Sequence, residues 1–245
     1  MSDDEEADMR LRNAVAAVLA LALWSGAPAS AQDRGHHRPG PDFVPVHRLS
    51  GVTGGELMGQ WWAHITEIPN AQNPLGAGTE SLCLALGRHG NVVAPTPAAP
   101  SLTATCQVGR HEKVFLSFVS ADCTSNDPDP FHGDTEAEQR ACAIGWVQSA
   151  PITAINLSLD GRPSVNILSP EFFVVSPQMS AVYPTDPLGG ATAGPTTLVG
   201  AGYAAQPRHL RAGRHVIAAV FDLTEGEPPV TITLTLDVNR HRHGR

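Results

Sequence analysis

The densest group of residues that could do chemistry lies in the segment 122–134, which reads DCTSNDPDPFHGD. Its strongest oxygen donors are the side chains of Asp122, Asn126, Asp127, Asp129 and Asp134. Calcium binds roughly six to eight oxygen ligands in flexible geometry, so the segment is a candidate calcium site. The spacing does not match the helix-loop-helix calcium motif, and a solvated loop without any cofactor is the alternative interpretation.

A second group consists of Glu56, His64 and Glu67. The first two are eight residues apart, which is about two helical turns, so a helix would place them on one face. There a carboxylate and an imidazole can work as an acid–base pair, and we treat the three residues as candidate catalytic residues. The alternative is structural, with the glutamate capping the helix and the histidine packing against the protein.

Aromatic side chains form the third group, because exposed rings can stack on flat ligands such as sugars. We select Trp61, Trp62, Tyr183 and Tyr203 as candidate ligand-binding residues, with Trp146 as a further ring. The alternative is that the rings fill the core, and this alternative is stronger for the tryptophans than for the tyrosines.

Other classes of function have less support in the sequence. It contains no G-x-S-x-G, H-E-x-x-H or phosphate-binding loop motif, although a catalytic site can be assembled from distant residues. The formal net charge is −8 and no Lys/Arg cluster is present in the sequence, so the chain lacks the positive surface that nucleic-acid-binding proteins need. We exclude nucleic acid as a partner and leave open whether the protein is an enzyme.

Four cysteines, Cys83, Cys106, Cys123 and Cys142, are present. An even number in an exported chain argues for disulfides. We expect Cys83 to pair with Cys106 and Cys123 with Cys142, because each pair flanks a turn-rich segment. Zinc binding is the rival interpretation, and the lack of any C-x-x-C spacing argues against it.

The N-terminal segment predicts export. Two arginines precede the apolar run 14–24, and the small residues Ala-Ser-Ala follow it at 29–31. This is the layout of a secretory signal peptide, so we assign residues 1–31 to one and expect a mature protein that begins at Gln32 in the periplasm or outside the cell. The apolar run is shorter than the roughly 20 residues of a membrane span, which argues against an anchor. Acidic residues before the arginines indicate that Met9 is the true start.

Two helices are predicted from their start signals. A threonine followed three residues later by a glutamate occurs at 53–56 and again at 135–138, and this spacing is the signature of a capping box. Apolar residues at helical spacing extend the two helices over 53–65 and 135–147.

Short apolar runs elsewhere predict strands. The clearest is 230–238, where apolar and polar residues alternate, so one face of the strand should be buried and the other exposed to solvent. Asp160-Gly161 predicts a hairpin turn. The other predicted strands are 82–86, 92–94, 114–119, 152–159, 165–168, 172–175 and 215–223.

Many short strands without strand–helix–strand alternation predict a mainly β fold. We expect an antiparallel β-sandwich or jelly-roll with one or two short helices packed on it. One such domain should span 51–240, after a flexible lead-in over 32–50 and before a disordered tail over 241–245.

Several segments carry a resemblance to a known family: GGELMGQWW at 54–62, Ile68-Pro69, Asn73-Pro74, Arg140-Ala141-Cys142 and the closing pattern 210–217. Together with the four cysteines, they make most of the mature chain similar to a family of exported bacterial four-cysteine, β-rich proteins without established function. That family has a Gln-x-Gly and aromatic-rich strand after its first cysteine, where this chain has GRHGNVV. The resemblance implies export and fold rather than a particular chemistry.

These observations favour a secreted, disulfide-stapled module that binds a glycan or a cell-surface partner. The alternative is a secreted polymer hydrolase or lyase, in which a carboxylate such as Glu56 or Asp122 works with His64 or His132. A structural protein of the cell envelope is the third interpretation. The sequence does not indicate the oligomeric state or the identity of a ligand.

Overall fold

The computed structural model describes residues 41–224 and 227–239. The predicted signal peptide, the segment 32–40 and the tail 241–245 lie outside these residues. Within them the protein is mainly β, with several antiparallel sheets and two α-helices, as the sequence predicts. No helix in these two described ranges is long and apolar enough to cross a membrane.

The described residues form two α-helices, α1 (Gly54–Thr66) and α2 (Glu136–Ser149), and two short 3₁₀ helices, Pro170–Phe172 and Leu188–Gly190. The strands, in chain order, are β1 (Phe43–Pro45), β2 (Arg48–Leu49), β3 (Val52–Thr53), β4 (Leu82–Leu86), β5 (Val92–Thr96), β6 (Thr103–Val108), β7 (Lys113–Val114), β8 (Leu116–Thr124), β9 (Ile152–Leu159), β10 (Val165–Asn166), β11 (Phe173–Val175), β12 (Met179–Tyr183), β13 (Gly194–Pro207), β14 (Gly213–Leu223) and β15 (Val230–Val238).

Both helices begin as their capping boxes predict. The Thr53 hydroxyl accepts a hydrogen bond from the Glu56 backbone N–H, and the Glu56 carboxylate accepts one from the Thr53 backbone N–H. Thr135 and Glu138 repeat the same reciprocal pair at the start of α2. These bonds satisfy backbone donors that the first turn of a helix leaves without partners.

The long strand β13 organises the central sheet. Strand β8 pairs antiparallel along one edge, while β12, β11 and β1 pair in succession along the other. Leu198 and Ala204 pack in one core with α1, whereas Ala201 packs in another with α2. Because side chains alternate between the faces of a strand, α1 covers one face of the central sheet and α2 the other.

A second sheet, in the order β10-β9-β14-β15-β6, completes the sandwich. Its buried side chains form a core with Ala205 on the α2 side of β13 and with Phe43 of β1. Strand β15 places Leu234 and Leu236 in this core, which agrees with its predicted alternation. A small third sheet, β4-β5-β7, lies beside α1.

The disulfides join the layers of the fold. Cys83 pairs with Cys106, which connects β4 of the third sheet to β6 of the second. Cys123 pairs with Cys142, which connects β8 to α2. Both pairings are the predicted ones.

The folded domain begins earlier than predicted. The segment 32–50 was expected to be a flexible lead-in, but β1 pairs with the end of β13 and Phe43 is only 1% exposed. The reason is that a short apolar strand fits against the free edge of a long neighbour, and its buried phenylalanine compensates for the entropy of ordering it.

Candidate functional site

The predicted calcium ligands do not converge. The amide of Asn126 donates to the carbonyl oxygens of Thr192 and Pro195 at 3.0 and 3.1 Å. Asp134 is paired with His132, and Asp129 is exposed. Among the residues that the structure describes, no three His, Cys, Asp or Glu side chains are arranged to hold a metal ion.

Two members of that predicted set do lie close to each other, together with a tyrosine from the aromatic set. Asp122 lies on β8 and Asp127 in the loop that follows, where its backbone N–H donates to the Thr124 hydroxyl at 2.9 Å. The hydroxyl of Tyr183, at the end of β12, donates to the Asp127 carboxylate at 2.9 Å. We refer to Asp122, Asp127 and Tyr183 as the acidic cluster.

Burial controls the protonation of the acidic cluster. It raises the pKa of Asp122 well above the ordinary aspartate range, and the negative charge of Asp127 raises this pKa further. Burial also raises the pKa of Asp127, although the hydrogen bonds from Tyr183 and Thr124 oppose that effect. The pKa of Tyr183 is raised, first by burial and then by the two carboxylates, so the phenol stays a neutral donor.

Helix α1 covers this face of the sheet with Trp62. The five-membered ring of its indole lies over Gly200, where an added Cβ atom would lie 2.5 Å from Trp62 Cδ1. Gly200 is the cross-strand partner of Asp122. The indole N–H of Trp62 is buried and has no hydrogen-bond partner among the described residues.

The aromatic candidates are mostly core residues. Trp61, Trp62 and Tyr183 are 6%, 7% and 5% exposed, so none of them offers a free ring face to a ligand. The Trp61 N–H also donates to the Thr96 hydroxyl at 2.9 Å. Tyr203 is half-buried and packs edge-to-face on Phe173. For Trp61, Trp62 and Tyr183, this burial agrees with the alternative interpretation, in which the rings fill the core.

The three candidate catalytic residues on α1 do not form one site. Hydrogen bonds from the Thr53 backbone and hydroxyl occupy the Glu56 carboxylate and lower its pKa. His64 and Glu67 are exposed at the other end of the helix, about 12 Å further along the axis for an eight-residue separation. Glu56 therefore has the structural role that was the alternative interpretation.

His132, named as a partner in the hydrolase interpretation, has both ring nitrogens engaged. Nε2 lies 3.0 Å from the Asp134 carboxylate and Nδ1 lies 3.1 Å from the Asp127 carbonyl oxygen. The Asp134 hydrogen bond is the main cause that raises the pKa of His132. These contacts fix the ring in place and leave no free nitrogen to take a substrate proton.

A surface groove of about 400 Å³ adjoins the acidic cluster. We call it the hydroxyl groove, because four hydroxyl-bearing residues and one carboxylate line it: Ser125, Ser180, Thr196, Thr197 and Glu67, with Ala181, Val182 and Pro195 between them. The sequence analysis did not select these four hydroxyl residues, because isolated serines and threonines carry no motif. The register that pairs β12 and β13 brings Ser180, Thr196 and Thr197 together, and Ser125 lies just after the end of β8.

The groove and the acidic cluster share their framework. The Ser125 and Thr196 hydroxyls are hydrogen bonded at 3.1 Å, and the Thr197 backbone N–H donates to the Ser125 hydroxyl at 3.2 Å. Ser125 is two residues before Asp127, and the Asp127 carboxylate accepts the hydrogen bond from Tyr183 on β12. The Tyr183–Asp127 bond therefore helps to fix the loop that forms one wall of the groove.

Comparisons with known proteins do not identify the chain. No protein-family model matches it, and no curated protein matches it. Among solved structures, the solution structure of Amebosin matches with 11% identity over 56% of this chain and 89% of that chain, with a TM-score of 0.19. A similarity at this level gives no information about function.

Proposed function

We propose that the protein is an exported, disulfide-stapled module that binds a glycan in the hydroxyl groove. One observation carries this proposal: four hydroxyl-bearing residues and the Glu67 carboxylate surround a single depression of sugar-sized volume. The predicted signal peptide, the two disulfides and the resemblance to exported four-cysteine proteins support a location in the periplasm or outside the cell.

The chemistry of the groove suits a ligand with many hydroxyl groups. Each serine or threonine hydroxyl can donate one hydrogen bond and accept others, and the Glu67 carboxylate accepts only. Sugar hydroxyls supply both donors and acceptors, so they suit the exposed Ser180 hydroxyl and the exposed Glu67 carboxylate, whereas the hydroxyls of Ser125 and Thr196 are already bonded to each other. The side chain of Val182 is 54% exposed and offers an apolar surface to the C–H face of a sugar ring.

The groove is also held in shape before a ligand arrives. Ser125 is fixed by its bonds to Thr196 and Thr197, and the following loop is fixed by the bond from Tyr183 to Asp127. A site that is ordered in the free protein loses less entropy when it binds.

Binding can be tested with a matched pair of variants. The groove variant Glu67→Gln/Ser180→Ala changes two exposed polar side chains of the groove. The control variant Glu80→Gln/Ser164→Ala makes the same two changes at exposed positions outside it. Calorimetry on the oxidised, exported protein with a panel of neutral oligosaccharides should identify a ligand whose affinity falls about ten-fold or more in the groove variant only. No binding, or equal loss in both variants, contradicts the proposal.

A second candidate function is glycoside cleavage, and the acidic cluster favours it. A carboxyl group with a raised pKa beside a second carboxylate is the arrangement that glycosidases use as acid and base. The same oligosaccharides would be incubated with the protein and assayed for new reducing ends. Release that is lost in Asp122→Asn, with binding retained, supports cleavage, whereas binding without release restricts the function to a binding module.

A further inference from the structure

We infer a second binding site, for a sugar that carries a carboxylate. It lies at the N-terminal end of α1, whereas the hydroxyl groove lies at the C-terminal end. A groove of about 440 Å³ lies there, and its lining is cationic and apolar: Val44, Pro45, His47, Arg48, Gln206 and Arg208. We call it the cationic groove. It shares no lining residue with the hydroxyl groove and does not depend on the function proposed above.

The cationic groove is assembled from two distant segments. Strand β1 pairs with the end of β13, which places Val44 opposite Gln206. The Gln206 side-chain amide donates to the Pro45 carbonyl oxygen, 161 residues away in the sequence, at 3.3 Å. The Arg208 backbone N–H donates to the Asp42 carbonyl oxygen at 2.7 Å, which fixes the chain just after β13. These bonds explain why no cationic cluster is visible in the sequence.

The basic side chains of the groove have hydrogen-bond donors available for a ligand. His47, Arg48 and Arg208 are all exposed. Arg48 makes one long hydrogen bond, 3.4 Å from Nη1 to the Gly51 carbonyl oxygen. Within residues 41–224 and 227–239, the side chains of His47 and Arg208 have no hydrogen bond or ion pair. An arginine fork left open in this way is suited to receive an anionic group.

The nearby carboxylates are already occupied. Glu56, whose carboxylate experiences the positive charge of Arg48, is bonded to Thr53 in the capping box. Asp42 forms an ion pair with Arg162 at 2.6 Å. Arg162 neutralises Asp42, whereas Glu56 keeps its negative charge, so the groove has the two arginines Arg48 and Arg208 against this carboxylate and keeps a positive surface on a protein whose formal net charge is −8.

The lining favours a carboxylated sugar over a bare anion. Guanidinium groups bind carboxylates through two parallel hydrogen bonds. The side-chain carbonyl oxygen of Gln206 can accept a hydrogen bond from a neighbouring sugar hydroxyl. Val44 and Pro45 provide an apolar wall for the C–H face of the ring. A uronic-acid residue presents all three features in one unit.

The test is calorimetry on the exported, oxidised protein with oligogalacturonate, its methyl ester and a polyphosphate of similar charge. Arg48→Gln and Arg208→Gln change the groove, and Arg214→Gln removes the same charge from an exposed position outside it. Both groove variants should weaken oligogalacturonate binding about ten-fold or more, and Arg214→Gln less than about three-fold. The affinity should also fall as salt is raised.

Three results would overturn the inference. The methyl ester binding as tightly as the acid would remove the role of the carboxylate. An equal loss of affinity in all three arginine variants would indicate a general electrostatic attraction to the protein surface rather than binding in the groove. Tighter binding of polyphosphate would identify a general anion site. The hydroxyl-groove variant Glu67→Gln/Ser180→Ala should leave oligogalacturonate binding unchanged, so the two proposals can fail separately. Melting temperatures of the variants confirm that each one folds.

Discussion

The carboxyl group of Asp122 lies on the face of the central sheet that α1 covers, and burial raises its pKa. The folded protein therefore keeps a proton on Asp122 at pH values where the unfolded chain has already released it. Such a group contributes its full stability below the ordinary aspartate pKa of 3.8, and this contribution is lost as the pH rises through the raised folded value.

The first prediction follows for Asp122→Asn. Because asparagine does not titrate, the variant should be more stable than the natural protein at pH 8, and the difference should shrink towards pH 4. Urea unfolding at a series of pH values measures it. Asp129→Asn is the control, since Asp129 is exposed, and its effect should be small. A difference for Asp122→Asn that does not change with pH contradicts the assignment of this pKa.

The second prediction concerns the small residues that let α1 approach the sheet. A Cβ atom at Gly200 would lie 2.5 Å from Trp62 Cδ1, so Gly200→Ala should overpack the core and cost about 1–3 kcal/mol of unfolding free energy. Gly145 in α2 has no atom within 4 Å of an added Cβ, so Gly145→Ala should stabilise by about 0.5–1 kcal/mol. Chemical denaturation measures both. Similar effects at the two positions would show that the contact with Trp62 is not tight.

Individual site residues were recognisable in the sequence, whereas their arrangement was not. Asp122, Asp127, Trp62 and Tyr183 were all selected, but as members of separate metal and aromatic groups. They meet because β8 and β12 pair with β13 in one particular register, and no local pattern encodes that register. Helix α1, which packs in one core with Ala181 of β12, is likewise distant in the chain.

At the scale of elements, local signals predicted the structure well where they were strong. The two capping boxes located both helices, and the alternation at 230–238 gave β15 with its observed bounds. Strand β13, the centre of the sheet, was missed. Its segment Gly200-Ala201-Gly202 is compatible with either a strand or a turn by sequence alone, and the residues are small because helices cover both faces of the strand. Small residues, which let the helices pack closely, therefore stand where a buried strand usually has β-branched residues.

The third prediction concerns the two disulfides as connections between layers. They close loops with sequence separations of 23 and 19 residues, and chain entropy assigns about 3 kcal/mol to loops of this size. Cys83→Ala/Cys106→Ala and Cys123→Ala/Cys142→Ala should therefore each lower the unfolding free energy by about that amount. Denaturation of the two double variants, with the reduced natural protein as the control, measures the effect. Unchanged stability in either variant would show that its disulfide does not contribute to the unfolding free energy.

At the scale of the whole molecule, the two proposed grooves lie at opposite ends of α1. A helix of 13 residues is about 20 Å long, so the two sites are far enough apart to bind separate sugar units. Their charges differ in sign, with Arg48 and Arg208 at one end and Glu67 with Asp127 at the other. A polysaccharide that contains both neutral and carboxylated units would match this arrangement along a single chain.

The final prediction concerns the compartment in which this molecule forms. Expression of residues 1–245 in a bacterium with a working secretion pathway should give an exported protein whose N-terminal residue is Gln32 and which has no free thiol. A version that begins at Gln32 and stays in a reducing cytoplasm should keep four reactive thiols and melt at a lower temperature, since it lacks both bridges. N-terminal sequencing, thiol titration and thermal melts compare the two products. Retention of residues 1–31 on the exported protein would contradict the signal-peptide assignment, and oxidised cysteines in the cytoplasmic form would show that folding alone, without an oxidising compartment, is enough to form the bridges.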